Sequence, residues 1–260
     1  MPLILSDLHL GLSPLETRHL APLIEAADEL WLNGDTAELR HPRYRDRGHR
    51  LLSELQEACA RRGLPLVRLA GNHDHDDSLP LHRMLANDRV LVTHGHAFLP
   101  EVAPWSVWAR EAGRRHREYL HSLPERERNS MQAALRAAVA ASEAAWSDTS
   151  RERRLHAAAM LTRPWAIVAV LRTWANWPRL THAFTERHQP QARVVISGHS
   201  HRRSCTRVAD RWLMNTGSFN PPARAAAVWV RDNRASWIPL SLRRGRYDLP
   251  PESRWRSVSV

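Results

Sequence analysis

The chain has 260 residues, of which 43% are hydrophobic and 25% are charged, and this composition excludes a disordered or low-complexity protein. The formal net charge is +11, and arginine supplies every basic side chain apart from histidine. Arginine matches phosphate oxygens, so the charge favours an anionic partner, although a genome biased toward arginine codons explains the same excess.

Short apolar runs that end in polar residues predict five buried strands. Helical patterns separate the first four, which indicates an α/β sheet with helices packed on its faces. One helix is predicted to start at Ser13 and Pro14, and another spans 50–62 and stops at Gly63. The five predicted strands are 2–6, 29–33, 64–70, 89–93 and 192–197.

Residues 97–190 break this alternation of strands and helices. The stretch is rich in Ala, Arg, Glu and Trp, and its spacing is helical nearly throughout. We therefore predict a helical insertion at 97–190 within a core made of 1–96 and 191–242, followed by a loosely ordered polar tail at 243–260. The core is predicted to close with a β meander over 211–216, 225–231 and 235–240.

The two cysteines, Cys59 and Cys205, lack the CxxC spacing of a thiolate metal site and predict no disulfide framework. The N-terminal MPLILSDLHLG has no basic start and reaches an aspartate too early for a signal peptide. No apolar run approaches the roughly 18 residues of a spanning helix. These features predict a cytoplasmic protein, with contact to a membrane surface left open.

A polar cluster follows each of the five predicted strands. The carboxyl ends of strands in an open α/β sheet line one crevice, so the clusters should converge in space. Imidazole and carboxylate ligands together suit Mn, Fe, Zn, Co or Ni, and there are enough of them for two ions that act on a phosphoryl group. The clusters are Asp7-Leu8-His9, Gly34-Asp35, Gly71-Asn72-His73-Asp74, His94-Gly95-His96 and Gly198-His199-Ser200-His201.

The blocks SDLHLG, NGD, GNHD, THGH and GHSH resemble, in this order, the signature of the calcineurin-like metallophosphoesterases. The resemblance covers roughly residues 1–96 and 192–220. It implies an α/β fold, a four-layer αββα sandwich whose helical insertion forms a lid. It also implies two divalent transition metal ions, manganese foremost, and hydrolysis of a phosphoester or pyrophosphate bond by a hydroxide that bridges them.

The resemblance also implies a role for each matching residue. Seven side chains would bind metal: Asp7, His9 and His201 the first ion, Asn72, His94 and His199 the second, and Asp35 both. His73 would contact the phosphoryl oxygens or protonate the leaving group. Asp74 would orient His73, because a carboxylate commonly fixes the tautomer of an imidazole.

Other polar residues near these blocks have two interpretations. His96 either supports a metal ligand or touches substrate, and Arg202 and Arg203 either meet a phosphate or are ordinary exposed arginines. For His75, Asp76 and Asp77 we favour a loop, with an aspartate capping a helix over SLPLHRML.

SDLHLG and the helical insertion are also similar to the UDP-2,3-diacylglucosamine hydrolases, peripheral membrane enzymes. This similarity implies a lipid-linked or nucleotide-sugar substrate. Three tryptophans, Trp165, Trp174 and Trp177, lie among apolar residues and arginines, as in a helix at a membrane interface, although the same rings could pack the insertion onto the core. Those hydrolases carry GNRD where this chain has GNHD, which leaves the substrate open.

Two alternatives come from other functional classes. A nuclease of the same superfamily would use the basic charge to bind nucleic acid, but no basic run with interleaved aromatic residues is present. A binding module that keeps the fold without catalysis would have lost metal ligands or the motif histidine, and none is lost here. We therefore expect a two-metal phosphoesterase acting on a phosphorylated small molecule or lipid.

Overall fold

The computed structural model describes residues 1–146 and 163–260, and the chain forms two compact units. The first unit combines Met1–Gly95 with Gln189–Val260, and the second is His96–His188. The part of the predicted insertion between 147 and 162 lies outside the described residues, as does the side chain of Trp146.

The first unit contains a six-stranded mixed sheet in the order β13, β10, β9, β1, β2, β3. The apolar runs at the start of the chain form its parallel part, in which β1 pairs with β2 and β2 with β3. The other strands join antiparallel. The strands are β1 (Pro2–Leu5), β2 (Glu29–Asn33), β3 (Leu66–Leu69), β9 (Ala226–Arg231), β10 (Arg234–Pro239) and β13 (Arg256–Ser259).

A five-stranded sheet in the order β4, β5, β6, β8, β7 completes the strand architecture of this unit, apart from a short hairpin. Its centre is parallel, because β6 pairs in parallel with both β5 and β8. The strands are β4 (His82–Leu85), β5 (Val90–Thr93), β6 (Val194–Ser197), β7 (Ser204–Val208) and β8 (Arg211–Asn215). The hairpin consists of β11 (Leu242–Arg243) and β12 (Arg246–Tyr247).

The two sheets pack face to face because side chains alternate between the faces of each strand. Ile4 and Trp31 of the first sheet share a buried cluster with Val92 and Ile196 of the second. On the outer face of the first sheet, the leucines of β1 and β2 pack with the helices of this unit. Each fully buried leucine or isoleucine contributes about 1.5–3 kcal/mol to folding. The predicted α/β sandwich is confirmed.

The helices of this unit partly differ from prediction. Helix α2 (Arg45–Arg61) ends before Gly63, which has a φ of 65°, so the predicted glycine stop is confirmed. The helix predicted to start at Ser13 instead begins as a 3₁₀ turn at Thr17–Leu20, followed by α1 (Ala21–Ala26). The hydroxyl of Ser13 donates to the carbonyl of Leu8, so it anchors the loop rather than capping a helix. Another 3₁₀ turn spans Glu252–Arg254.

Two further predictions are wrong. The segment SLPLHRML contains strand β4, because a tight turn with positive φ at 86–88 folds it back against β5 and pairs Leu85 with Val90. The tail is not loosely ordered throughout, because Arg256–Ser259 pairs with β10 as an edge strand. In both segments the pairing partner, which short sequence patterns do not reveal, decides the structure.

The regular structure of the second unit, within the described residues, is helical. It consists of a 3₁₀ turn at His96–Phe98 and the helices α3 (Ala109–Ser122), α4 (Met131–Trp146) and α5 (Pro164–His188). The ring of Phe98 lies 5.3 Å from that of Trp177 and 5.0 Å from that of Phe184, so α5 packs on the 3₁₀ turn. No helix among the described residues is long and apolar enough to cross a membrane.

Candidate metal centre

Six of the seven candidate metal ligands come together at the carboxyl ends of parallel strands in the first unit. The loops after these strands are tied to one another by backbone hydrogen bonds. The N–H of Asp7 donates to the carbonyl of Gly34, the N–H of His9 donates to that of Asp35, and the N–H of Gly198 donates to that of His94. The convergence expected from an α/β sheet is therefore present.

Asp7, His9 and His201 form the first group of ligands. Their donor atoms all lie within 4.8 Å of one another. Nε2 of His201 is 3.2 Å from Oδ1 of Asp7 and 3.0 Å from Nε2 of His9. Two imidazole nitrogens that face one carboxylate oxygen form a donor set suited to a borderline divalent cation.

Asp35, His94 and His199 form the second group, also within 4.8 Å. Nε2 of His94 is 3.3 Å from Oδ2 of Asp35, and the rings of His94 and His199 are 5.3 Å apart. The same Oδ2 lies 3.9 Å from Nε2 of His9, a member of the first group. Asp35 is therefore placed between the two groups. Its environment fits a carboxylate shared by two ions.

Contacts behind the ligands fix their orientation. Nδ1 of His94 is 3.0 Å from the carbonyl oxygen of Asn33, and Nδ1 of His9 is 2.6 Å from Oε1 of Glu38. Each contact directs Nε2 toward the cluster, as outer partners commonly do for metal-binding histidines. The carboxylate of Asp7 accepts hydrogen bonds from the N–H of His199 and the hydroxyl of Ser6.

The backbone at these positions is strained. Five of the seven candidate ligands have a left-handed φ, a conformation that costs a residue with a side chain roughly 1–2 kcal/mol. The fold retains it where surrounding contacts fix the loop, which is typical of functional sites. The five φ values are 52° at Asp7, 47° at His9, 50° at Asp35, 63° at His199 and 56° at His201.

Two glycines in the motifs are required because neighbouring atoms lie too close to them to leave room for a side chain. A Cβ atom at Gly71 would overlap the carboxylate and backbone N of Asp35, and one at Gly198 would overlap Oδ2 of Asp7 and the hydroxyl of Ser6. Any larger residue would displace a candidate ligand, so these positions need glycine for space.

The electrostatics of the cluster favour positive charge. Burial alone would lower the pKa of His94, but the carboxylates of Asp35 and Asp7 outweigh it and raise the pKa to about 9. Burial would raise the pKa of Asp35, yet His94 and His73 hold that pKa well below its ordinary value. Since these carboxylates stabilise imidazole protons, a divalent cation can take the place of those protons.

His73 is held by a residue that the sequence analysis missed. Nδ1 of His73 lies 2.9 Å from Oε2 of Glu38, a side chain that is 1% exposed. Nε2 of His73 lies 4.0 Å from Oδ2 of Asp35, and the imidazole is 30% exposed. Burial is outweighed by Glu38 and Asp35, which raise the pKa of His73 to about 10. The sequence signal that could have identified Glu38 is its acidic side chain three residues after Asp35.

Asp74 does not have the arrangement that was expected. Its carboxylate oxygens accept hydrogen bonds from the backbone N–H groups of Asp35, Thr36 and Gly71. The carboxylate that holds the imidazole of His73 is therefore Glu38. Asp74 holds the loops together instead.

The remaining predicted residues are Asn72, His96, Arg202 and Arg203. Asn72 is buried in the loop after β3, and Arg202 is exposed beside His201. Contact with a phosphate was one of two interpretations of Arg203, but its guanidinium donates to the carbonyls of Ala225 and Leu240. His96 is fully buried at the start of the second unit.

The residues after the GNHD motif form a turn, in agreement with the loop that the sequence analysis favoured. His75 is 3.7 Å from Asp77, and Asp76 accepts hydrogen bonds from the N–H and hydroxyl of Ser78. This aspartate stabilises the turn that leads to β4 rather than a helix start.

One comparison with known proteins identifies a family. The sequence model of the family described as calcineurin-like phosphoesterase matches residues 2–203. No curated protein matches the sequence.

Three solved structures illustrate the structural similarity. Yfce, a phosphoesterase from E. coli, is 13% identical, with 99% of each chain covered and a TM-score of 0.44. A predicted phosphoesterase from Streptococcus pneumoniae TIGR4 is 14% identical, covering 100% of this chain and 97% of that one, with a TM-score of 0.45. A dimetal phosphatase from Danio rerio is 11% identical, covering 99% and 98%, with a TM-score of 0.47.

Proposed function

The chain belongs to the calcineurin-like phosphoesterase family and is a metal-dependent hydrolase of phosphate esters, and we propose that it works through two metal ions held by the strand-end cluster. The observation that supports this most directly is the position of Asp35. Its Oδ2 faces His94 of one ligand group at 3.3 Å and His9 of the other at 3.9 Å. A carboxylate oxygen that faces both ligand groups is suited to a dinuclear site, in which two ions lie close together.

In this proposal Asp7, His9 and His201 would hold the first ion, His94 and His199 would hold the second, and Asp35 would be shared. Asn72, in the loop after β3, would complete the second set. When bound, the ions lower the pKa of a water molecule and neutralise charge on the phosphoryl oxygens. Manganese is our first choice, with Fe, Zn, Co or Ni as alternatives, because imidazole and carboxylate ligands together suit this group of ions.

His73 then acts on the substrate as a proton donor. Its Nδ1 is occupied by Glu38, which turns Nε2 toward the oxygen of Asp35 shared by both groups. The contact with the carboxylate of Glu38 favours the protonated imidazole. A protonated Nε2 can donate a hydrogen bond to a phosphoryl oxygen and a proton to the leaving oxygen. Arg202, exposed beside His201, adds a positive charge for the phosphate.

For the substrate we propose a phosphoester or pyrophosphate carried on a lipid or nucleotide sugar. The support comes from α5, where four large apolar side chains are exposed close together: Trp165 (47%), Ile167 (49%), Val168 (43%) and Leu171 (54%). Arg172 is exposed next to them. Apolar residues with a tryptophan and an arginine suit the headgroup region of an anionic membrane, which would make the protein a peripheral membrane enzyme.

The three tryptophans considered for membrane contact differ in their exposure. Trp177 is 5% exposed and contacts Phe98, so it packs within the second unit. Trp174 is half-buried, whereas Trp165 is the most exposed of the three. The membrane proposal therefore rests on Trp165 and its apolar neighbours.

A substrate panel tests the proposal. The manganese-loaded protein is assayed with an aryl phosphate monoester, an aryl phosphodiester, a nucleotide-sugar pyrophosphate, and single- and double-stranded nucleic acids. Turnover of small esters or pyrophosphates without cleavage of the polymers supports it. Degradation of DNA or RNA alone would favour the nuclease, and no hydrolysis of any substrate would contradict both.

A further inference from the structure

Asp74 joins two loops of the metal centre. It is 1% exposed, and its Oδ1 accepts hydrogen bonds from the N–H of Asp35 and of Gly71, both at 3.0 Å. Its Oδ2 accepts another from the N–H of Thr36 at 2.8 Å. One carboxylate therefore ties the loop after β3 to the loop after β2. It does so at Asp35, whose φ of 50° needs external support.

Arg68 supplies the positive charge beside this carboxylate. Its Nη2 lies 3.5 Å from Oδ2 of Asp74, and its side chain is only 16% exposed. Arg68 lies on β3 and pairs with Leu32 of β2, so its backbone belongs to the rigid sheet. A buried carboxylate is costly unless it is hydrogen-bonded and paired with a cation. Asp74 has both kinds of partner, and Arg68 is the charged one.

A small movement of the Asp35 backbone would move the candidate shared oxygen. Oδ1 of Asp35 accepts a hydrogen bond from the N–H of His73 at 2.8 Å, so Oδ2 is the oxygen left facing His94 and His9. The fit around Asp35 is tight, because the backbone of Gly71 leaves no room for a Cβ atom. The position of Oδ2 therefore depends on the loop that Asp74 holds.

We propose that Arg68 is a positioning residue for the metal centre. Its guanidinium pairs with the buried carboxylate of Asp74, Asp74 fixes the backbone of Asp35, and Asp35 presents Oδ2 to both ligand groups. Arg68 thus sets metal affinity without touching metal or substrate. This inference rests on the proposed metal site. Outer contacts of this kind typically change metal affinity by about 10- to 100-fold.

Titration with Mn²⁺ alone tests the inference. Wild type, Arg68→Gln and Arg68→Lys are compared by calorimetry, together with Arg83→Gln, which alters an exposed arginine on another edge strand, β4. We expect Arg68→Gln to weaken Mn²⁺ binding at least about tenfold and Arg68→Lys to restore most of the affinity. Arg83→Gln should match wild type. An Arg68→Gln protein that binds Mn²⁺ as tightly as wild type would overturn the proposal, as would equal losses in the Gln and Lys variants.

A second variant keeps the test valid if Arg68→Gln does not fold. The double variant Arg68→Gln/Asp74→Asn buries no unpaired charge and should fold. It lacks the ion pair between Arg68 and Asp74, so its Mn²⁺ affinity should also fall at least about tenfold. Wild-type affinity in this double variant would overturn the inference. A wild-type protein that binds no Mn²⁺ would instead refute the metal site itself, so the two failures are distinguishable.

Discussion

The carboxylate of Glu38 holds the imidazole of His73, with Oε2 2.9 Å from Nδ1. Its other oxygen lies 2.6 Å from Nδ1 of His9, a candidate metal ligand. One buried side chain therefore fixes both the proposed proton donor and a ligand of the proposed first ion. The histidines hold the pKa of Glu38 below its ordinary value despite burial, so it is a carboxylate throughout the neutral range.

Replacing Glu38 should impair catalysis and metal binding together. Glu38→Gln removes the charge that stabilises protonated His73 and weakens the contact that orients His9. We expect kcat to fall by roughly 10²-fold or more and Mn²⁺ affinity to fall about 10-fold. Steady-state kinetics and Mn²⁺ titration measure the two effects. Glu54→Gln, at an exposed position of α2, is the control and should leave both unchanged. Unaltered kcat in Glu38→Gln would contradict this role.

Replacing His73 should separate catalysis from metal binding. The side chain is not among the proposed ligands, so His73→Ala should retain its metal ions. Turnover should fall by roughly two to four orders of magnitude, because the proton donor is lost. Metal analysis and kcat on an aryl phosphodiester check the two parts. A variant as active as wild type would show that His73 is not the proton donor.

The sequence predicted the central strands and the convergence of the polar clusters that follow them, because both depend on local patterns. Each central strand is a short apolar run, and each ligand follows the end of one, so the topology of the sheets brings Asp7 and His199 together. The contact between Glu38 and His73 was missed because it joins residues 35 positions apart. Proximity in sequence favoured Asp74 as the partner of His73, but the backbone N–H groups of the neighbouring loops already bind that carboxylate.

Metal affinity should rise with pH. The raised pKa of His94, about 9, means that the metal-free protein carries a proton there at neutral pH, which a cation must displace. Binding is therefore weakest at low pH and strengthens until the pH reaches that pKa. We expect Mn²⁺ affinity to increase at least about tenfold per pH unit between pH 6 and 8, measured calorimetrically. An affinity independent of pH would contradict the direct coordination of His94.

Membrane contact should depend on the exposed apolar residues of α5. The double variant Trp165→Ser/Leu171→Ser removes two side chains that are 47% and 54% exposed. We expect wild type to float with vesicles containing anionic phospholipid and the variant to lose most of this binding. Leu242→Ser, at a position 53% exposed in the first unit, is the matched control and should float like wild type. Wild type that stays unbound would refute the peripheral membrane proposal.

The shared position of Asp35 is the basis of the proposed two-metal site, and one comparison tests it most directly. The metal content and phosphodiesterase turnover of purified wild type are measured beside those of Asp35→Asn. We predict two transition metal ions per wild-type chain, and we expect Asp35→Asn to lose both metal and turnover, because the amide cannot serve as a shared anionic ligand. An Asp35→Asn protein that keeps two ions and hydrolyses the diester at the wild-type rate would contradict the account.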